Sequence, residues 1–191
     1  MSSETKIVFV LGGPGCGKGT QAISISTDYG LGYAAAGDIL RAKSMDPSFE
    51  HSKEIFDVIA AGKLVRPLLI VSSVNHAISN SNKSVFLMDG FPRSIEQDDA
   101  FRDKSSCHAV IFLDAPDEVL IQRIAKRALT SERNDDNEEV ARKRIKNYKE
   151  QTVPVIERYQ KEGKVYTIDA SRSIPEVREE FLSVLRNLKV L

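Results

Sequence analysis

Residues 6–21 read KIVFVLGGPGCGKGTQ, and no other stretch limits the fold of this 191-residue chain so tightly. An unbroken apolar run suits a strand buried on both faces, as in parallel sheets. The glycines that follow allow a turn closed to side chains bearing a Cβ, and Lys18 stands where a helix would begin. Three later runs repeat the strand pattern: VFLMD at 85–89, AVIFLD at 109–114 and KVYTID at 164–169. Segments of helical spacing separate them, which predicts an α/β fold with helices on both faces of a parallel sheet. Right-handed crossovers then gather the loops after the strands on one edge.

Two stretches stand outside that alternation. Residues 30–65 hold GDILRAK and HSKEIFDVIAAGKLV, divided at Met45-Asp46-Pro47, and predict a small inserted helical lobe. Residues 128–137, ALTSERNDDN, are polar and predict a short flap between a helix starting near Pro116 and a charged helix running from Glu138 toward Pro154. A terminal helix is expected from Ser173 as cap, with Pro175 in its first turn. Length favours one main domain.

Composition narrows the class. Apolar residues are 41%, charged residues 28%, and 27 basic side chains balance 27 acidic ones, so any anion site must be local and a nucleic-acid stripe is disfavoured. Two cysteines and three scattered histidines argue against a disulfide scaffold or a structural zinc, and a reducing, cytoplasmic setting is expected. The N-terminal apolar run is too short to span a bilayer.

The pattern G-x-x-x-x-G-K is met by Gly12, Gly17 and Lys18, with the hydroxyl one place late at Thr20. Inward-curling amides, a mobile cation and a helix N-terminus together make a phosphate cradle. A structural turn would not require a cation at the helix start, where it opposes the dipole. Asp89, at the end of the second apolar run, is placed to hold magnesium through water. Arg41, Arg93, Arg127, Arg133 and Arg144 fall near the predicted open edge, lobe or flap. Such an inventory serves phosphoryl transfer, which needs charge neutralised, groups aligned and water kept out. A phosphate-monoester acceptor is already anionic, so no general base is needed, and His51, His76 and His108 are assigned none.

Read together, GGPGCGKGTQ, AGDILR at 36–41, GKLV at 62–65, DGFPRSIEQ at 89–97 and RNDDNEE at 133–139 resemble the adenylate kinase and UMP/CMP kinase family over nearly the whole chain. The resemblance implies a three-layer P-loop NTPase fold, with residues 30–65 as an NMP-binding lobe and 128–137 as a short lid. It implies that Gly13, Pro14, Gly15, Cys16, Gly17, Lys18, Gly19 and Thr20 surround the ATP phosphates, and that Thr20 and Asp89 serve Mg2+. Arg123 would pack over the donor adenine, with Arg127 beside it. Ala36, Arg41, Lys63, Val65, Gly90, Arg93 and Gln97, with Arg133 and Arg144, would take the monophosphate. Lys18, Arg93, Arg127, Arg133 and Arg144 would carry the transfer.

The acceptor base receives two opposed hints. Gln97 resembles the adenylate kinases, whose Gln can both donate to and accept from adenine, whereas Ala36 resembles the SAGD segment of the pyrimidine enzymes. The direct base contact is weighted more heavily, so the expectation is a monomeric adenylate kinase making two ADP from ATP and AMP, with UMP or CMP as the alternative acceptor. No nucleic acid, membrane or obligate protein partner is expected. Three places depart from the family pattern: Ala35 for the customary Ser, Arg66-Pro67 after GKLV, and Glu132 for a Gly.

Overall fold

In the computed structural model, which describes residues 5–129 and 138–191, strand β1 (Lys6–Gly12) lies at the centre of a five-stranded sheet. The other strands are β2 (Gly32–Ala35), β3 (Val85–Asp89), β4 (Cys107–Asp114) and β5 (Val165–Asp169), in the spatial order β2-β3-β1-β4-β5. Every pairing is parallel, and β1 meets β3 from Lys6 opposite Val85 to Val10 opposite Asp89. The alternation of strand side chains divides the core in two. Ile7, Phe9 and Leu11 join Phe86 and Met88 on one face, whereas Val8 and Val10 join Leu87, Ile111, Leu113 and Ile168 on the other.

Helices cover both faces, giving the three layers expected of a P-loop NTPase fold. They are α1 (Lys18–Tyr29), α2 (Ala36–Ser44), α3 (Ser52–Ala60), α4 (Pro67–Ser79), α5 (Ile95–Arg102), α6 (Asp117–Ala128), α7 (Glu138–Asn147), α8 (Val153–Lys161) and α9 (Ile174–Asn187). The cap of α9 is the expected Ser173: its side chain and backbone N–H both engage the Glu176 carboxylate, a capping box.

The structure revises the sequence reading in two places. The stretch 30–65 is not wholly helical, because Gly32–Ala35 forms β2, which pairs among the described residues only with β3. The charged helix from Glu138 does not stop at Pro154. A π-helical turn, Tyr148–Thr152, joins α7 to α8, and Pro154 sits in the first turn of α8, where its missing N–H is no loss. The expected flap at 128–137 lies almost entirely outside the described residues.

An aromatic cluster supports the loop after β3. The fully buried Phe9 ring meets Phe91, Phe101 and Tyr159 edge-on, with centroids 5.2–5.9 Å apart. Each such pair adds about 0.5–1.5 kcal/mol beyond its area burial. Phe91 is thereby anchored under the chain just where it leaves the sheet.

Candidate active site

The loops after β1, β2, β3 and β5 open on one cleft of about 760 Å³. Its first wall is the glycine-rich loop between β1 and α1. Gly15 has φ +87°, and a Cβ there would stand 2.9 Å from the Leu120 carbonyl and 3.0 Å from Ile124. Only glycine lets the loop press so closely on α6, the helix that brings Arg123 and Arg127 to the cleft. Lys18 Nζ donates to the Gly12 carbonyl at 2.9 Å and the Gly13 carbonyl at 3.0 Å, and lies 3.5 Å from Cys16 Sγ. The cation therefore ties the loop to its own first turn.

The second wall follows β3. The Gly90 N–H donates to the Val10 carbonyl at 3.0 Å, and Gly90 has φ +68°. A Cβ at Gly90 would fall 2.9 Å from the Arg93 guanidinium, so the glycine leaves room for that side chain to fold back. Arg93 Nε donates to the Gly90 carbonyl at 2.7 Å, and the Arg93 carbonyl accepts from Thr152 Oγ1 at 2.9 Å. Asp89 is 9% exposed. Burial raises its carboxyl above the ordinary Asp range, against the lowering charges of Lys18 and Arg93 and a hydrogen bond from Tyr33, whose hydroxyl lies 3.3 Å from Oδ2.

The third wall is the turn after α3 and the start of α2. Ala36, Arg41, Lys63 and Val65 all line the cleft, with Arg41 bonded to Asp38 at 2.5 Å. Gln97 lines it too, but its side chain is committed on both ends. Oε1 accepts from the Arg93 N–H at 2.9 Å, and Nε2 donates to the Val65 carbonyl at 3.2 Å. At the other end of the cleft Arg123 donates to the carbonyls of Ala170 at 2.7 Å and Ser171 at 3.4 Å, which holds its planar cation against the loop after β5.

Among the described residues, the cleft gathers nearly every side chain singled out from sequence. Gly13 is the exception: it faces the core, where a Cβ would meet Leu120 at 2.5 Å. Arg133 lies outside the described residues. Among the described residues, eight cationic side chains and only two carboxylates, Asp38 and Asp89, line the cleft, although basic and acidic residues balance over the whole chain. Sequence reasoning missed Tyr33, Asn147, Thr152 and Arg172, which also line it. Arg66, flagged for replacing a proline, makes a bidentate pair with Glu54 at 2.6 and 2.7 Å.

A divalent cation suits this donor set. Thr20 and Asp89 offer only oxygen, and no group of three or more His, Cys, Asp or Glu is assembled among the described residues. Magnesium is commonly held by one or two protein oxygens, with phosphate oxygens and water completing its shell. Also among the described residues, no helix is long and apolar enough to cross a membrane.

Fold and loop together define a P-loop nucleotide-binding protein. The chain belongs to the adenylate kinase family, whose model, described as Adenylate kinase, matches residues 10–164. It is 38% identical to a UMP-CMP kinase of Lentinula edodes over 97% of this chain and 88% of that one. It is 35% identical to the uridylate kinase of Saccharomyces cerevisiae, covering 96% and 92%, and 37% identical to the human UMP-CMP kinase, covering 93% and 95%. Kinases of this family generally work with magnesium and ATP.

These relatives overturn the expectation of an adenylate kinase in the narrow sense, with AMP as acceptor and two ADP as products. The physical reason lies at Gln97. Its amide is bonded to the backbone at both ends, so a glutamine here serves the architecture of the pocket whatever base lies beyond it.

Proposed function

We propose that this chain is a pyrimidine nucleoside monophosphate kinase, transferring the γ-phosphoryl group of ATP to UMP or CMP. The observation that carries the phosphoryl-transfer reading is the excess of cations around one cleft, contributed by the start of α1, α2, the turn after α3, α6, α7 and the loops after β3 and β5. The pyrimidine choice draws on the relatives named for UMP, CMP or uridylate.

In this reading residues Pro14–Thr20 wrap the donor phosphates, with Lys18 as their mobile cation, and Arg123 packs over the donor base. Thr20 and Asp89 hold magnesium, Asp89 through water, and the ion neutralises phosphate charge when bound. Arg41, Lys63, Val65, Ala36 and Gly90 surround the acceptor. Arg93 grips its phosphate, while Arg127, Arg133 and Arg144 meet the charge that spreads over the transferring group. Residues 30–65, apart from their strand, serve as the acceptor lobe, and 128–137 as the lid that excludes water. Cys16 and Cys107 are free and buried thiols, which suits a reducing cytoplasm.

The test is kcat/KM for UMP, CMP and AMP with magnesium ATP. At least one pyrimidine should exceed AMP by tenfold or more. Equal or better use of AMP would refute the acceptor assignment, and no transfer to any monophosphate would refute the kinase itself.

A further inference from the structure

Helix α7 presents more than Arg144 to the rest of the molecule. Beside Arg144, which lines the cleft as Asn147 does, Val140, Lys143 and Asn147 meet the turn that follows α3. Gly62 has φ +67°, and a Cβ on it would lie 3.3 Å from Val140 Cγ1 and 3.6 Å from Lys143 Cβ. Asn147 Nδ2 donates to the Gly62 carbonyl at 2.6 Å. The same turn runs on into Lys63, Leu64 and Val65, which line the cleft. Its far end is held by Gln97 through the Val65 carbonyl, so the turn is gripped from α5 at one end and from α7 at the other.

Asn147 is also the last residue before the π-helical turn, and that turn ends in Thr152, whose hydroxyl holds the Arg93 carbonyl. The two ends of one six-residue run thus hold the acceptor-side turn and the arginine after β3. We infer that Asn147 is a positioning residue, clasping the Gly62–Val65 turn to the helix that carries Arg144. The position of the acceptor-side turn and that of Arg144 are thereby coupled. The Asn147 donor can reach Gly62 only when the two elements are together, so the bond favours the arrangement in which they touch. The catalytic consequence rests on the kinase reading; the contact itself does not.

Asn147→Ala and Asn147→Leu test this in the full chain. Both residues are better helix formers than Asn, which offsets part of the lost hydrogen bond, so the unfolding midpoint should stay within ~4 °C of the parent. In the nucleotide-free protein, exchange of the Gly62 and Lys63 amides should be faster in both variants. In turnover, kcat/KM for the pyrimidine monophosphate should fall roughly 5- to 30-fold, the worth of one hydrogen bond left unmade in a partly buried place. The fall should come mainly through KM for the acceptor, with the directly measured ATP dissociation constant within twofold of the parent. Unchanged amide exchange overturns the clasp, as does a kcat/KM within twofold of the parent or an equal loss of ATP affinity. If the parent transfers to no monophosphate the kinase reading fails, and amide exchange alone then decides on Asn147.

Discussion

Replacing Gln97 by leucine separates a structural amide from a base-reading one. Leucine has similar bulk and no polar atoms, so the change removes two hydrogen bonds without opening a large cavity. The Arg93 N–H loses its acceptor at 2.9 Å, and the Val65 carbonyl loses its donor at 3.2 Å. Gln97 is 3% exposed and Val65 5%, so water has little access to the orphaned carbonyl, while the Arg93 N–H is part-buried. Each buried group left unpaired costs about 1–3 kcal/mol, and added apolar burial offsets only part of that. The expected net loss is about 3 kcal/mol in the nucleotide-free protein. With a urea slope of ~2 kcal/mol/M the midpoint falls by ~1.5 M. The thermal midpoint falls by ~6–12 °C, at ~2–4 °C per kcal/mol for a chain of this size. Urea unfolding followed by far-ultraviolet circular dichroism, without nucleotide, reads this directly. A leucine variant as stable as the parent, or more stable, would show that the amide matters only to a bound base and would refute the brace.

Three substitutions probe the charged groups. Lys18→Ala and Arg93→Ala should each lower kcat by ~10²-fold or more while circular dichroism and the unfolding cooperativity stay as in the parent, since on the kinase reading each removes charge aimed at phosphate. Retained turnover in either folded variant would remove that residue from the mechanism. Asp89→Asn should abolish magnesium-dependent transfer yet raise the unfolding midpoint at pH 7 without nucleotide. Burial lifts the folded carboxyl above its unfolded value, so the native state binds the extra proton, and stability falls as pH rises from the unfolded pKa through the folded one. The amide carries no such penalty, and the gain should shrink below pH 4; a lower midpoint at pH 7 would contradict it.

Strands β1, β3 and β4 were legible because each is a continuous apolar run, largely buried on both faces, and β5, half-exposed at the sheet edge, because Val-Tyr-Thr-Ile is β-branched and aromatic. Strand β2 was not, because Gly-Tyr-Ala-Ala has almost none of that character. Its place is set by tertiary fit: a Cβ on Gly32 would come 2.4 Å from the Phe86 ring. The cleft residues on the glycine loop and after β3 were legible because their chemistry is written in local spacing. Tyr33, Asn147 and Thr152 were not, since their partners Asp89, Gly62 and Arg93 lie 56, 85 and 59 residues away. Gln97 shows the opposite failure. Its capacity to read a base was visible, whereas its commitment to Val65, 32 residues away, was not.

The central position of β1 has a consequence for how the protein is made. Neither of its neighbours is local: Lys6 waits for Val85, and Ile7 for Cys107. At synthesis rates of about 5–20 residues per second, the first apolar strand spends roughly 5–20 s with its second edge unpaired. The phosphate loop hangs from that strand, so the earliest-made part of the site is among the last to acquire its shape. A nascent chain stalled before residue 107 should therefore expose Ile7–Leu11 to chaperones and bind no nucleotide.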